Sequence, residues 1–429
     1  MVSIFLFQPG NIEAAEKVTY PTKVNVSIYK ASSLTMTLNG AYQVINKETG
    51  VVTAVPANTT ISVKKDNSGI TVNYPNFTGS SKSGFDVEEL TGTSNLTKVS
   101  NGVTYRGSFT LKANGSQVEV INYLDMEDYL KGVVPSEMPA SWHMEALKAQ
   151  AIAARSYAAN SLILSSTATS QVYKGYSGEH SRTNQAIQET AGLTVKYNGK
   201  PIQTFFHSTS GGRTANVGDV WSSNQSHFPY LVSVDSPYET ASSLFTWSET
   251  FLPSTILTSF GLNSKAVLYD IILTKSGANG EVSAVTVKSS EGDVTKKGNE
   301  SVIRKLFPIQ NANYYNTLYS NWFDIEVINA GGPVSVQTNS GTNPLTELKG
   351  QVVQTASGQV TLDSSSVSIQ TTNGVVSNQG GNAQSVVVSG RGWGHRIGLS
   401  QYGAKGFAEK GWTAEQILTH YFKGTTISK

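Results

Sequence analysis

The sequence predicts an α+β fold: a β-rich N-terminal lobe packed with a mixed α/β core that carries one long helix, with a polar β-rich insertion. Three observations lead there. Apolar residues alternate with polar ones from residue 18 to about 122, an alanine-rich stretch near residue 150 follows a helical period, and a capped helical pattern returns at the C-terminus.

The first residues, "MVSIFLFQPGNIEAAEK", combine a short apolar run, a Pro-Gly breaker and small residues around Ala14 and Ala15. This reads as a signal-peptide remnant over residues 1–15, without a basic leading region and too short to span a bilayer. A first β-strand is the alternative. From residue 16 to about 118 the strands follow in turn. "KVNVSIYK" sends Val24, Val26 and Ile28 to one face, and "SLTMTLNG" does the same with Leu34, Met36 and Leu38. "TISVKK", "ITVNYP", "SFTLKANG" and "QVEVINYL" continue the pattern between Asn, Gly, Ser and Asp clusters that suit turns.

A core region over residues 119–328 contains "GVVPSEMPASWHMEALKAQAIAARSYAAN", Gly132 to Asn160. The spacing predicts a helix from about Ser141 to Ser165, with Leu147, Ala151, Ala154, Ala158 and Leu162 on its apolar face. Pro135 and Pro139 flank Glu137, so a stiff extended segment ending at the helix start is expected around that carboxylate. Pre-organisation of this kind suits a general acid, and Val133, Val134, Met138 and Trp142 supply apolar surroundings for one. The plain alternative is a first-turn glutamate that only favours the helix dipole. Lys148 and Arg155 lie seven residues apart, near one azimuth, either lining a cleft or standing on a solvated face. Gln150 and Tyr157 form a second pair at that spacing, which burial with satisfied hydrogen bonds explains equally well.

Farther on, the glycine pair in "PIQTFFHSTSGGRTANVGDVW" permits a close backbone approach, and a helix is expected near "NESVIRKLFP". Residues 329–385 shift to Ser, Thr, Gln, Asn, Gly and Val, as in an inserted hairpin or small sheet with flexible joints, or an irregular surface loop. In the last segment, 386–429, Thr413 and Gln416 have capping-box spacing, and Ile417, Leu418, Tyr421 and Phe422 give the next helix an apolar face.

Composition narrows the chemistry. The 429 residues carry a formal net charge of +2 and only 14% charged residues, which speaks against a protein that neutralises many phosphates, so no nucleic-acid partner is expected. A carbohydrate-like substrate fits better. With no cysteine, thiol catalysis, disulfides and thiolate metal sites are excluded. His180, His207 and His227 lack the compact spacing of a zinc protease, and neither Ser210 nor Ser400 sits in a nucleophile elbow. No metal and no cofactor is expected.

Two blocks then become specific together: "NYLDMEDYLKGVVPSEMPASWHMEALKAQAIAARSYA" and "GRGWGHRIGLSQYGAKGFAEKGWTAEQILTHYF", joined by "FFHSTSGGRTANVGDVW" and "PYLVSVDSP". In order and content they resemble the SpoIID/LytB family, stage II sporulation protein D and the amidase enhancer of bacterial autolysins. The resemblance implies a secreted or extracytoplasmic, cell-wall-associated protein whose partners are peptidoglycan glycan strands and, in one branch, an amidase autolysin. The sporulation branch is a lytic transglycosylase with its essential glutamate in "SEMP", Glu137 here. By the same resemblance Lys148, Arg155, His207, His395, Ser400 and Gln401 are expected to bind substrate. Family members that hold zinc use cysteines with a histidine, a pattern this sequence departs from although His207 remains. The enhancer branch implies the rival reading, a non-catalytic peptidoglycan-binding stimulator of an amidase.

Overall fold

A computed structural model describes residues 22–90, 95–310, 316–329, 334–338, 341–345, 350–355, 358–363, 366–371, 374–379 and 383–429. The expected signal-peptide remnant at 1–15 lies outside them. Strand outweighs helix, 40% to 22%, in several separate sheets, which makes the fold a mixed α+β one. The helices among the described residues are α1 (Met126–Glu137), α2 (Met144–Ala159), α3 (Ser181–Glu189), α4 (Val217–Trp221), α5 (Pro253–Phe260), α6 (Glu300–Lys305), α7 (Gln401–Glu409) and α8 (Ala414–Tyr421). Two compact units divide the chain: residues 1–133, 158–179 and 198–202 form the first, and 134–157, 180–197 and 203–429 the second.

The first unit contains a seven-stranded and a six-stranded sheet. Lys23–Ala31 pairs antiparallel with Gln117–Asp125 in the larger sheet, and Ser33–Leu38 pairs with Thr59–Asp66 in the smaller. The alternation read from the sequence is the alternation of burial: Val24, Val26 and Ile28 point inward, as do Leu34, Met36 and Leu38, while Ser33 and Thr35 face solvent. Each strand thus gives one face to the core and one to water.

Around Glu137 the local expectation fails. Glu137 is the last residue of α1, not part of an extended segment, and Pro135 lies inside that helix. An interior proline costs about 3 kcal/mol through its missing N–H and its ring. Burial of Tyr129, Leu130, Val133 and Val134 along the same helix, and of Met138 just beyond it, outweighs it, and the Met138 amide still donates to Val134 O at 2.9 Å. Pro139 then acts as expected, because the helix does not continue through Met138.

Helix α2 is shorter than predicted and is not amphipathic. Leu162 is 93% exposed beyond its end, whereas Ala146, Leu147, Ala149, Gln150, Ala151, Ile152, Ala153, Ala154, Arg155, Ser156 and Ala158 are all buried. Nearly every azimuth is covered. The alanines make this possible, since a helix with so little side-chain bulk can be approached from all sides.

In the second unit, Ala383–Arg391 is the central strand between Thr246–Phe251 and Phe323–Asn329. A second sheet, Leu268–Ser276 with Glu281–Ser289 and Gly292–Lys297, shares a core with it and with α5 and α6 through Phe251, Leu257, Val285, Ile303, Phe307 and Phe323. Helix α6 lies where "NESVIRKLFP" predicts it. At the C-terminus the capping box is complete: the Gln416 amide donates to Thr413 Oγ1 at 3.3 Å, and Thr413 N donates to Gln416 Oε1 at 2.9 Å.

Among the described residues the polar segment forms three antiparallel strand pairs, Val334–Thr338 with Gly341–Leu345, Val352–Thr355 with Gly358–Thr361, and Ser366–Thr371 with Gly374–Gln379. It leaves and re-enters where Asn329 pairs with Ala383. Replacing residues 330–382 with a two-residue Asn-Gly turn is therefore expected to close Phe323–Asn329 and Ala383–Arg391 into an ordinary hairpin and leave the melting temperature nearly unchanged. Insoluble or molten protein would show that the strand pairs belong to the core.

Candidate functional site

Three stretches of the second unit, each beginning or ending a helix or lying within one, meet at Glu137. Helix α1 delivers the carboxylate from its final position, α2 delivers Gln150, and the N-terminus of α7 delivers Gln401. Gln401 Nε2 lies 3.5 Å from Glu137 Oε2 and 3.4 Å from Gln150 Oε1, long contacts that place one amide between the two groups. Ser400 caps α7, its Oγ accepting from Gly403 N at 3.2 Å, and so fixes the turn from which Gln401 projects. Gln150, which periodicity marked only as a burial candidate, is completely buried, and its Nε2 has no hydrogen-bond partner among the described residues.

His207 joins this group through the backbone. Phe206–His207 runs parallel to Leu399–Ser400, with His207 opposite Ser400. Its Nδ1 lies 3.2 Å from Ile397 O, an arrangement that calls for the proton on Nδ1 and leaves Nε2 as an acceptor, buried and unpartnered among the described residues. His395 sits with its ring centroid 5.5 Å from that of His207 and accepts from Ile397 N at 3.1 Å. Burial holds His395 down to about 4, and burial together with the neighbouring His395 holds His207 well below the usual imidazole range. Both rings are neutral at pH 7. Trp221 at 4.9 Å and Phe205 at 6.2 Å from His395 complete an aromatic wall.

The two predicted cations fare differently. Arg155 is buried, and its guanidinium donates to Leu193 O at 3.0 Å and Ile187 O at 3.4 Å, near the end of α3. The expectation that it lines a cleft is corrected: all-round burial of α2 turns this azimuth inward, where the charge ties down carbonyl groups. Lys148 is half-buried between Glu189 at 2.7 Å and Glu145 at 3.0 Å, which raise its affinity for the proton, Glu189 most.

Sequence reasoning missed two buried charges that shape the site. Glu239 has no exposed surface and accepts from Thr209 Oγ1 at 2.7 Å, Ser210 N at 2.8 Å, Ser210 Oγ at 2.8 Å, Gly211 N at 2.9 Å and the Ser236 hydroxyl. Ser236 in turn lies 2.5 Å from Tyr421 Oη, which is bonded to Ser400. Arg396, fully buried with φ 62°, pairs with Glu281 at 3.2 Å, donates to Ser210 O and Arg213 O, and lies over Trp322 at 4.2 Å. Neither residue belongs to a local pattern that signals such a role.

A SpoIID model, described as stage II sporulation protein, matches residues 114–197, the stretch that holds Glu137 and Gln150. The chain belongs to the SpoIID family. It is 31% identical over 314 residues to the amidase enhancer of Bacillus subtilis (strain 168), covering 70% of this chain and 40% of that protein. It is 27% identical over 366 residues to stage II sporulation protein D of the same organism, covering 78% of this chain and 86% of the relative. Stage II sporulation protein D of Bacillus amyloliquefaciens is 26% identical over 335 residues, 72% of this chain and 76% of that one. This SpoIID chain therefore spans well under half of the amidase enhancer and most of the sporulation proteins.

A cysteine-based zinc site does not fit these residues. The chain has no thiol to offer, and His207 commits Nδ1 to a backbone carbonyl beside a second imidazole. Among the described residues no helix is long and apolar enough to cross a membrane.

The neutral histidines make a pH prediction. Burial lowers His420 as well, so three imidazoles refuse protons that the unfolded chain binds below about 6.5. The unfolded state then holds more protons, and stability rises with pH in that window. It is fully present above pH 6.5 and declines as the pH falls toward 4. Denaturant midpoints at pH 7.5 and 5.0 should differ accordingly; equal midpoints would refute the neutral assignment.

Proposed function

We propose that this SpoIID protein works on peptidoglycan outside the cytoplasmic membrane, cleaving glycan strands as a lytic transglycosylase, with Glu137 as the catalytic acid and base. The observation that carries this reading is the Gln401 amide between Glu137 and Gln150, which brings together two sequence blocks 264 residues apart at one carboxylate.

In this reaction Glu137, protonated, donates to the glycosidic oxygen as the bond from C1 of N-acetylmuramic acid to O4 of N-acetylglucosamine breaks. The muramyl 6-hydroxyl oxygen closes onto C1, and its proton passes to the Glu137 carboxylate, which regains its starting state. No water is consumed, so the product carries a 1,6-anhydromuramyl end. One carboxylate suffices because donation and abstraction are successive. Gln401 and Gln150 orient it, and the aromatic wall at Phe205, Trp221 and His395 borders the sugar chain. His207 and Lys148 serve substrate binding in this reading; Arg155 and Ser400, both buried and engaged within the protein, support the scaffold, which corrects the expectation that Ser400 binds substrate.

Mass spectrometry of purified glycan strands after incubation tests the proposal. Products lighter than hydrolysis products by one water are expected, and reducing muramyl ends would mean a hydrolase instead. The similarity to the amidase enhancer favours a second reading, a wall-bound stimulator of an amidase. That reading predicts no products from the protein alone and faster release of stem peptides when an amidase is added.

A further inference from the structure

Most buried aromatic groups here have polar tips that are spoken for. Trp247, for example, is 8% exposed and its indole N–H donates to Gly392 O at 2.9 Å. Trp142 and Tyr402 differ. They flank the site in sequence, five residues after Glu137 and one after Gln401, and their rings meet edge-on at 4.9 Å with 61° between planes. Both are only partly buried. The Trp142 indole N–H and the Tyr402 hydroxyl have no hydrogen-bond partner among the described residues.

Their backbones are nevertheless held firmly. Trp142 N donates to Pro139 O at 3.0 Å across a turn, and Arg182 donates to Ala140 O at 2.8 Å and Trp142 O at 2.9 Å. Tyr402 sits in the first turn of α7 with its amide on Ser208 O at 2.9 Å. Lys405, ion-paired with Glu409 at 3.0 Å, lies with its ammonium 6.0 Å from the Trp142 ring. Two rings are thus fixed in place without being used up by the core.

From this we infer that Trp142 and Tyr402 form a sugar-binding subsite beside Glu137, which holds one pyranose ring of the glycan strand next to the bond that is cut. A pyranose offers a face of C–H groups and a rim of hydroxyl and acetamido groups. An aromatic ring with a free polar tip matches both at once, packing under the face while N–H or O–H meets the rim. The ring faces and the hydroxyl and acetamido groups of the strand suit a surface whose nearby cations are already engaged, Lys405 by Glu409 and Arg182 by the Ala140 and Trp142 carbonyls. The subsite rests on the glycan-cleaving reading of Glu137 and adds to it a location for the substrate.

The test measures binding of soluble glycan oligomers to full-length protein carrying Glu137→Gln, so that nothing is consumed, alongside cleavage by the unsubstituted protein. Trp142→Ala should weaken binding by about tenfold, Trp142→Phe less because a ring remains, and Tyr402→Phe by a few-fold for the lost hydroxyl. Trp142→Phe and Tyr402→Phe preserve the packing, so a misfolded alanine variant does not decide the matter. Unchanged binding in both phenylalanine variants and in a folded Trp142→Ala, while the unsubstituted protein cleaves glycan, overturns the subsite alone. No glycan binding or cleavage by the unsubstituted protein overturns both the subsite and the function it rests on.

Discussion

Glu137→Gln is expected to fold and to bind glycan normally, yet to release no 1,6-anhydromuramyl ends. The amide keeps the size of the side chain and leaves an oxygen for the Gln401 contact at 3.5 Å. It removes the exchangeable proton on which both halves of the reaction depend. Losing a general acid costs roughly two to four orders of magnitude in rate, and the same group is the base here, so the upper part of that range is expected. The loss should lie in kcat with KM nearly unchanged, because the interaction removed is made only in the transition state. Glutamine that cleaves as fast as glutamate would end the enzyme claim. An added amidase stimulated equally by both forms would leave the enhancer reading standing.

What the sequence made legible was whatever depends on near neighbours. Strict alternation through Val24, Val26 and Ile28 foretold a half-buried strand because a strand's period is two whatever lies beyond it. Thr413 and Gln416 foretold a helix start because both partners of the capping box lie within one turn. The resemblance singled out Glu137, but its helical conformation was not legible, since the proline rules are local and the burial of Tyr129, Leu130 and Val133 that overrides them is not. Arg155 shows a related limit. Periodicity gave its azimuth relative to Lys148, but which azimuths of an alanine-rich helix are covered depends on segments far along the chain. Trp142 and Tyr402 met only through the fold, across 260 residues of chain.

The same limit hid Glu239, whose replacement should have the largest effect on stability. Its Oε2 receives the Thr209 hydroxyl and the backbone amides of Ser210 and Gly211, while Oε1 receives the hydroxyls of Ser210 and Ser236. Backbone amides cannot turn into acceptors, but hydroxyls can. In Glu239→Gln the carbonyl oxygen can therefore take the Oε2 position and the NH₂ group can donate to the two serine hydroxyls, at a cost of about 1–2 kcal/mol for the charge-assisted bonds that become neutral ones. Glu239→Ala leaves every donor buried without its acceptor, and at about 1–3 kcal/mol for each unsatisfied group the loss should exceed 3 kcal/mol even if water enters the space. Denaturant unfolding should rank the proteins wild type, then glutamine, then alanine. The damage should also reach the site, because Ser236 and Tyr421 link this carboxylate to Ser400, and Ser400 sets the turn that aims Gln401 at Glu137. The glutamine variant, folded but with a looser hub, should thus lose glycan-cleaving rate beyond what its small loss of stability explains. An alanine variant as stable as wild type would show that the donors find other partners and that Glu239 is not the anchor.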